Sequence, residues 1–138
     1  MNTTLVNLAC IIDDDNIYVS LIKKIIKAKN LCSELLIFNN GQQSMTYFED
    51  LCNTLTNNEI PEIIFLDLNM PIMDGWEFLE KFSKIKDELK KEITLYVVSS
   101  SINPSDMNRA KSSPTVKDYL VKPVHVKDLE TIFMRKAV

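Results

Sequence analysis

The chain has 138 residues, 46% of them hydrophobic, with 16 basic against 19 acidic side chains for a net charge of −3. That length suits one domain around one core, expected over residues 1–138 with its packed part at about 6–136, and leaves no room for an output domain. Two glycines and five prolines exclude collagenous and low-complexity classes, the apolar fraction excludes a disordered chain, and the lack of any basic cluster argues against a nucleic-acid footprint.

No apolar run approaches the length of a membrane span; the longest cover a few residues, as in Ile63–Leu66. Met1–Ile12 lacks a basic start and runs into Asp13-Asp14-Asp15, unlike a secretory leader. A soluble, cytoplasmic protein is expected, and the glycosylation match at Asn2-Thr3-Thr4 then carries no weight. Cys10, Cys32 and Cys52 are odd in number and form no C-x-x-C pair, so free thiols packed as small apolar groups are expected.

In chain order, Leu8–Ile12 is apolar on consecutive residues, as a strand buried on both faces should be. A helix follows in which Ile17, Leu21, Ile22, Ile25 and Ile26 are expected inside and Lys23, Lys24 and Lys27 outside. Leu35–Phe38 reads as a second strand closed by the turn residues Asn39-Asn40-Gly41. Met45, Phe48, Cys52 and Leu55 recur at helical spacing up to a break at Asn57–Pro61. Ile63–Leu66 is a third buried strand, ending on Asp67. After Pro71 and Gly75 comes a helix with Phe78, Leu79, Phe82 and Ile85 inside, then an exposed, lysine-rich Lys84–Glu92. Leu95–Val98 is a fourth strand ending on Ser99, followed by a short helix over Pro104–Ser112 anchored by Met107 and Ala110. Tyr119–Val121 is a fifth strand ending on Lys122-Pro123, and a closing helix carries Val126, Leu129, Ile132 and Phe133. Strand and helix alternate five times, which predicts an α/β fold: a five-stranded parallel sheet with helices on both faces.

In such a sheet, functional groups gather beyond the carboxyl ends of the strands, near the point where strand order reverses. The residues there are Asp13 and Asp14, Asp67, Ser99 and Lys122. Carboxylates held together repel unless a cation neutralises them. Mg²⁺ suits this set, because it binds one or two carboxylates and keeps waters for a phosphoryl group, and a lysine adds a point charge for the same oxygens.

Four stretches, Ile11–Asp15, Phe65–Gly75, Val97–Ser100 and Tyr119–Pro123, together resemble the receiver domain of two-component response regulators, over nearly the whole chain. The resemblance implies a flavodoxin-like (βα)5 fold with strand order 2-1-3-4-5. It implies that Asp67 is the phosphoacceptor, attacking a phosphohistidine on a sensor histidine kinase or histidine phosphotransfer protein. Asp14 would bind Mg²⁺ directly, Asp13 mainly through water, and the backbone carbonyl of Asn69 would add a ligand. Lys122 would contact the phosphoryl oxygens, aimed by a cis bond to Pro123; Pro71 and Gly75, like Pro123, would be structural. Ser99 and Tyr119 match the switch pair whose rearrangement repacks the face of the fourth helix, fifth strand and fifth helix for a downstream protein target. A signalling module rather than an enzyme is implied. Ser99 stands where threonine is commoner, and Asn69 and Ser101 flank the acceptor at positions that tune phosphate lifetime.

Simpler roles exist for single residues. Asp13-Asp14-Asp15 could cap the first helix, and Asp15 is expected to do so. A calcium loop from Asp67 fails, because Pro71 and Ile72 stand where an oxygen ligand and a glycine are required. His125 is expected at an exposed cap position, Trp76 in the partial core, and Met70, Met73 and Met107 as packing residues. The rival enzyme is a haloacid-dehalogenase-like phosphatase with Asp13 as nucleophile, disfavoured by Ile17 and by the short chain. A pseudo-receiver that binds without taking phosphate is the other rival, although all five key positions are filled. The outer surface of the first helix, including Asn16, Tyr18 and Ser20, is expected to meet the histidine-bearing partner.

Overall fold

The computed structural model describes residues 6–53, 59–89 and 91–137. Its elements run β1 (Val6–Ile12), α1 (Asn16–Ala28), β2 (Cys32–Phe38), α2 (Gly41–Leu51), β3 (Ile63–Leu66), α3 (Gly75–Ile85), a short 3-10 turn (Lys86–Glu88), β4 (Thr94–Ser99), α4 (Pro104–Lys111), β5 (Val116–Val121) and α5 (Val126–Ala137). The five strands form one parallel sheet in the order β2-β1-β3-β4-β5, as expected. Leu55 and Asn57-Asn58, expected in a helix and its break, lie outside the described residues, as does Asn2-Thr3-Thr4.

Successive side chains of a strand point to opposite faces, and the core divides accordingly. Cys10, Ile12, Ile64, Leu66, Leu95 and Val97 pack against α2, α3 and α4 through Met45, Phe48, Phe78, Phe82 and Ala110. Ala9, Ile11, Ile63, Phe65, Tyr96 and Val98 pack against α1 and α5 through Val19, Ile22, Ile26, Leu129, Ile132 and Phe133. Helices therefore cover both faces, and the central strands are apolar on consecutive residues because both sides are buried. Cys10 is buried, Cys32 and Cys52 are half-buried, and all three are free.

Local chemistry sets the helix starts. Asp15 caps α1 by accepting the Tyr18 N–H; Asn40 caps α2 by accepting the Gln43 N–H; Asp74 and Glu77 form a reciprocal capping box on α3. Asn103 caps α4, with Pro104 in its first turn. His125 is exposed just before α5, where its carbonyl accepts the Leu129 N–H. Trp76 is half-buried, with the Arg109 guanidinium 4.1 Å from its ring centroid, joining α3 to α4.

Three expectations need correction. Ile17 and Leu21 are 86% and 51% exposed, not inside; the buried side of α1 is Val19, Ile22 and Ile26. At 3.6 residues per turn Ile17 and Leu21 share a side, but it is opposite that of Val19 and Ile26. Asn40-Gly41 is a helix start rather than only a turn. Leu89, inside the lysine-rich stretch expected to be exposed, is buried in the core of α2 and α3.

Candidate functional site

Backbone hydrogen bonds of the sheet carry on past its strand ends and fix the residues there. The Asp13 N–H donates to the Phe38 carbonyl at 2.9 Å, the Asp67 N–H to the Ile12 carbonyl at 2.8 Å, and the Lys122 N–H to the Ser99 carbonyl at 2.9 Å. In register, Ile12 pairs with Leu66 and Ser99 with Val121, so Asp13 lies beside Asp67, and Lys122 leaves β5 next to the end of β4. β1 pairs with β2 on one side and β3 on the other, so the acids occupy the crevice where chain direction through the sheet reverses.

Carboxylate oxygens of Asp13, Asp14 and Asp67 lie within 4.8 Å of one another. Asp13 and Asp67 are 2% and 5% exposed, whereas Asp14 is exposed. One cation offsets them: Lys122 Nζ is 2.8 Å from Asp13 Oδ2 and 3.7 Å from Asp67 Oδ1. Asp13 is engaged at both oxygens, since Oδ1 accepts the Asp15 N–H. Asp67 Oδ1 also accepts the Leu68 N–H at 2.9 Å, while its Oδ2 accepts no hydrogen bond among the described residues. Burial, then repulsion from Asp13 and Asp14, pushes the Asp67 carboxyl up to about 6, against the opposing pull of Lys122 and the Leu68 N–H. Three clustered carboxylates facing one ammonium leave negative charge that a hard divalent cation would satisfy, and the donor set of oxygens fits Mg²⁺.

Ser99 is fully buried, and its Oγ accepts the Ser101 N–H at 3.1 Å. Ser101 is a junction, for its carbonyl accepts the Tyr119 hydroxyl at 2.8 Å and its own Oγ donates to Asp106 of α4 at 2.8 Å. The Lys122-Pro123 bond is cis. Between Asp67 and α3, Pro71 and Ile72 are exposed and Met73 is buried, and Ile72 holds a left-handed backbone at φ 70°.

A family model for the response regulator receiver domain matches residues 9–133. The chain belongs to the response regulator receiver family. This receiver is 29% identical over 119 residues to the response regulator Rcp1 of Synechocystis, a match covering 86% of this chain and 78% of that one. Among solved structures it is similar to a two-component response regulator from Cytophaga hutchinsonii, with a TM-score of 0.80, 26% identity, and 95% and 96% of the two chains covered. It is also similar to the Mn²⁺-bound form of Rcp1, with a TM-score of 0.71, 26% identity, and 94% and 90% covered.

The structure brings Asp13, Asp14, Asp67 and Lys122 of this receiver into one pocket, with Ser99 and Tyr119 linked through Ser101. Asn69 is exposed beyond Asp67. Sequence reasoning left the reason for Gly75 open: a Cβ there would stand 2.3 Å from the Asp67 carbonyl oxygen and 2.7 Å from Leu68 Cα. The Gly75 N–H donates to the Leu68 carbonyl at 2.9 Å, so the glycine lets α3 start against the backbone that carries Asp67. Asn16 and Ser20 are exposed on α1 as expected, but Tyr18 is half-buried beside Lys122.

Proposed function

We propose that the protein is a phosphoacceptor of a two-component or phosphorelay system, with Asp67 as the acceptor. The observation that carries this reading is that Asp67 Oδ2 accepts no hydrogen bond among the described residues, in a buried pocket where Asp13 is tied at both oxygens. Asp67 Oδ2 attacks the phosphorus of a phosphohistidine on a partner kinase or phosphotransfer protein. A P–O bond forms as the P–N bond breaks, and the imidazole leaves with the bonding pair. Lys122 offsets charge on the phosphoryl oxygens from a position already fixed beside Asp67. The carboxylates of Asp13, Asp14 and Asp67, with the Asn69 backbone carbonyl, would hold Mg²⁺, which when bound supplies further positive charge for those oxygens. The relative Rcp1, with its Mn²⁺-bound structure, supports a hard divalent cation.

Receiver domains are signalling modules, and the output of this one is binding rather than turnover of a substrate. Ser99 Oγ gives up the Ser101 N–H to reach a phosphoryl group, and Ser101 passes the change to Tyr119 and to Asp106. The face of α4, β5 and α5 is thereby repacked for a downstream protein. The receiver works in the cytoplasm, and its partners are proteins rather than nucleic acid.

Incubation with Mg²⁺ and a small acyl phosphate, followed by intact-mass measurement, tests the reading. Wild type is expected to gain one hydroxylamine-sensitive phosphate and Asp67→Asn none. Equal labelling of the two proteins would sink the assignment, and steady turnover of a phosphate ester lost in Asp13→Asn would favour the phosphatase.

A further inference from the structure

Lys122 is a long, flexible side chain whose ammonium must sit over Asp67, yet its nearer carboxylate is that of Asp13, at 2.8 Å against 3.7 Å. Two acids pulling on a rotatable stem do not by themselves choose where the charge rests. A third group touches the same nitrogen. The ring of Tyr18 lies with its centroid 4.7 Å from Lys122 Nζ.

Tyr18 is well placed to act as a fixed support. It stands in the first turn of α1, where its N–H donates to the Asp15 cap. Its ring is half-buried against the core shared by α1 and α5, next to Val124. One side chain on α1 therefore meets the segment after β5 at the Lys122 ammonium.

The chemistry of the support matters. A third carboxylate against Lys122 would hold it more tightly but would add negative charge to a pocket that already carries three acids and must admit a phosphoryl group. An aromatic face attracts a cation through its quadrupole and adds no net charge. We propose that Tyr18 is a positioning residue whose ring holds the Lys122 ammonium in place for the phosphoryl oxygens of a substrate bound at Asp67. The proposal rests on the phosphoacceptor reading and adds to it a residue outside the acidic pocket itself.

The test uses the full chain with Mg²⁺ and a small acyl phosphate, following labelling rate against donor concentration. Tyr18→Leu keeps an apolar side chain but loses the ring, and is expected to lower the saturated rate about tenfold with little change in the half-saturating donor concentration. Tyr18→Phe keeps the ring and is expected to return the rate to within about threefold of wild type. A second series guards against misfolding of the leucine variant: phenylalanines with one, two or three ring fluorines at position 18 keep the shape while weakening the quadrupole. The logarithm of the rate is expected to fall step by step along that series, and to stay level when Lys122→Gln is added. A folded Tyr18→Leu that labels at the wild-type rate, or a level fluorine series with Lys122 present, overturns the proposal alone. A wild type that takes no phosphate overturns the phosphoacceptor reading and the proposal with it.

Discussion

At Asp67, burial and two neighbouring carboxylates favour the protonated acid, and this has a consequence for stability without metal. Its folded-state value of about 6 lies above the unfolded value of about 3.9. The folded protein therefore binds more protons than the unfolded chain between those values, so stability falls as pH rises through that window. The contribution is fully present below pH about 4 and is lost by pH about 6 to 7. Asp67→Asn keeps the shape and a neutral group, so in chelator it is expected to match wild type near pH 4 and to exceed it by up to about 3 kcal/mol near pH 7. Urea unfolding of both proteins across that range checks this. Mg²⁺ should narrow the gap at pH 7 by stabilising wild type, and a gap independent of pH would mean that Asp67 is not the group under strain.

Among the elements, the loop from β3 to α3 is held from both ends by the two glycines of the chain. Gly41, opening α2, donates its N–H to the Met73 carbonyl at 3.1 Å and would place a Cβ 2.5 Å from that oxygen. Gly75, opening α3, stands against Asp67 and Leu68 in the same way. Gly75→Ala is therefore expected to push the Asp67 backbone out of place, lowering stability by about 1–3 kcal/mol in urea unfolding and slowing phosphate labelling. A variant as stable as wild type with unchanged labelling would show that the close contact is slack. Neither glycine announces this role in the sequence, because the crowding atoms belong to other segments. Helix α1 was legible as an element but not in its facing: Val19, between Tyr18 and Ser20, is buried, while the more obvious Ile17 is not. An excess of apolar residues around a helix lets periodicity choose the wrong stripe.

For the molecule as a whole, the parallel sheet and the position of the pocket were readable because buried parallel strands are continuous apolar runs, and Asp13, Asp67, Ser99 and Lys122 each follow one directly, whereas strand order came only with the family resemblance. Motif order then tied them to a family. Contacts between segments distant in the chain were not readable: the ring of Tyr18 beside Lys122, the Ser101 junction between Ser99, Tyr119 and Asp106, and the packing of Arg109 on Trp76. On the proposed function, one carboxylate among three clustered acids takes the phosphoryl group. Borohydride reduces an aspartyl phosphate to homoserine, so protein treated with Mg²⁺ and a small acyl phosphate, then reduced and sequenced by tandem mass spectrometry, reports the acceptor by position. Homoserine is expected at position 67 and at neither 13 nor 14; homoserine at position 13, or at none of the three in protein that has taken up phosphate, would contradict Asp67 as the acceptor.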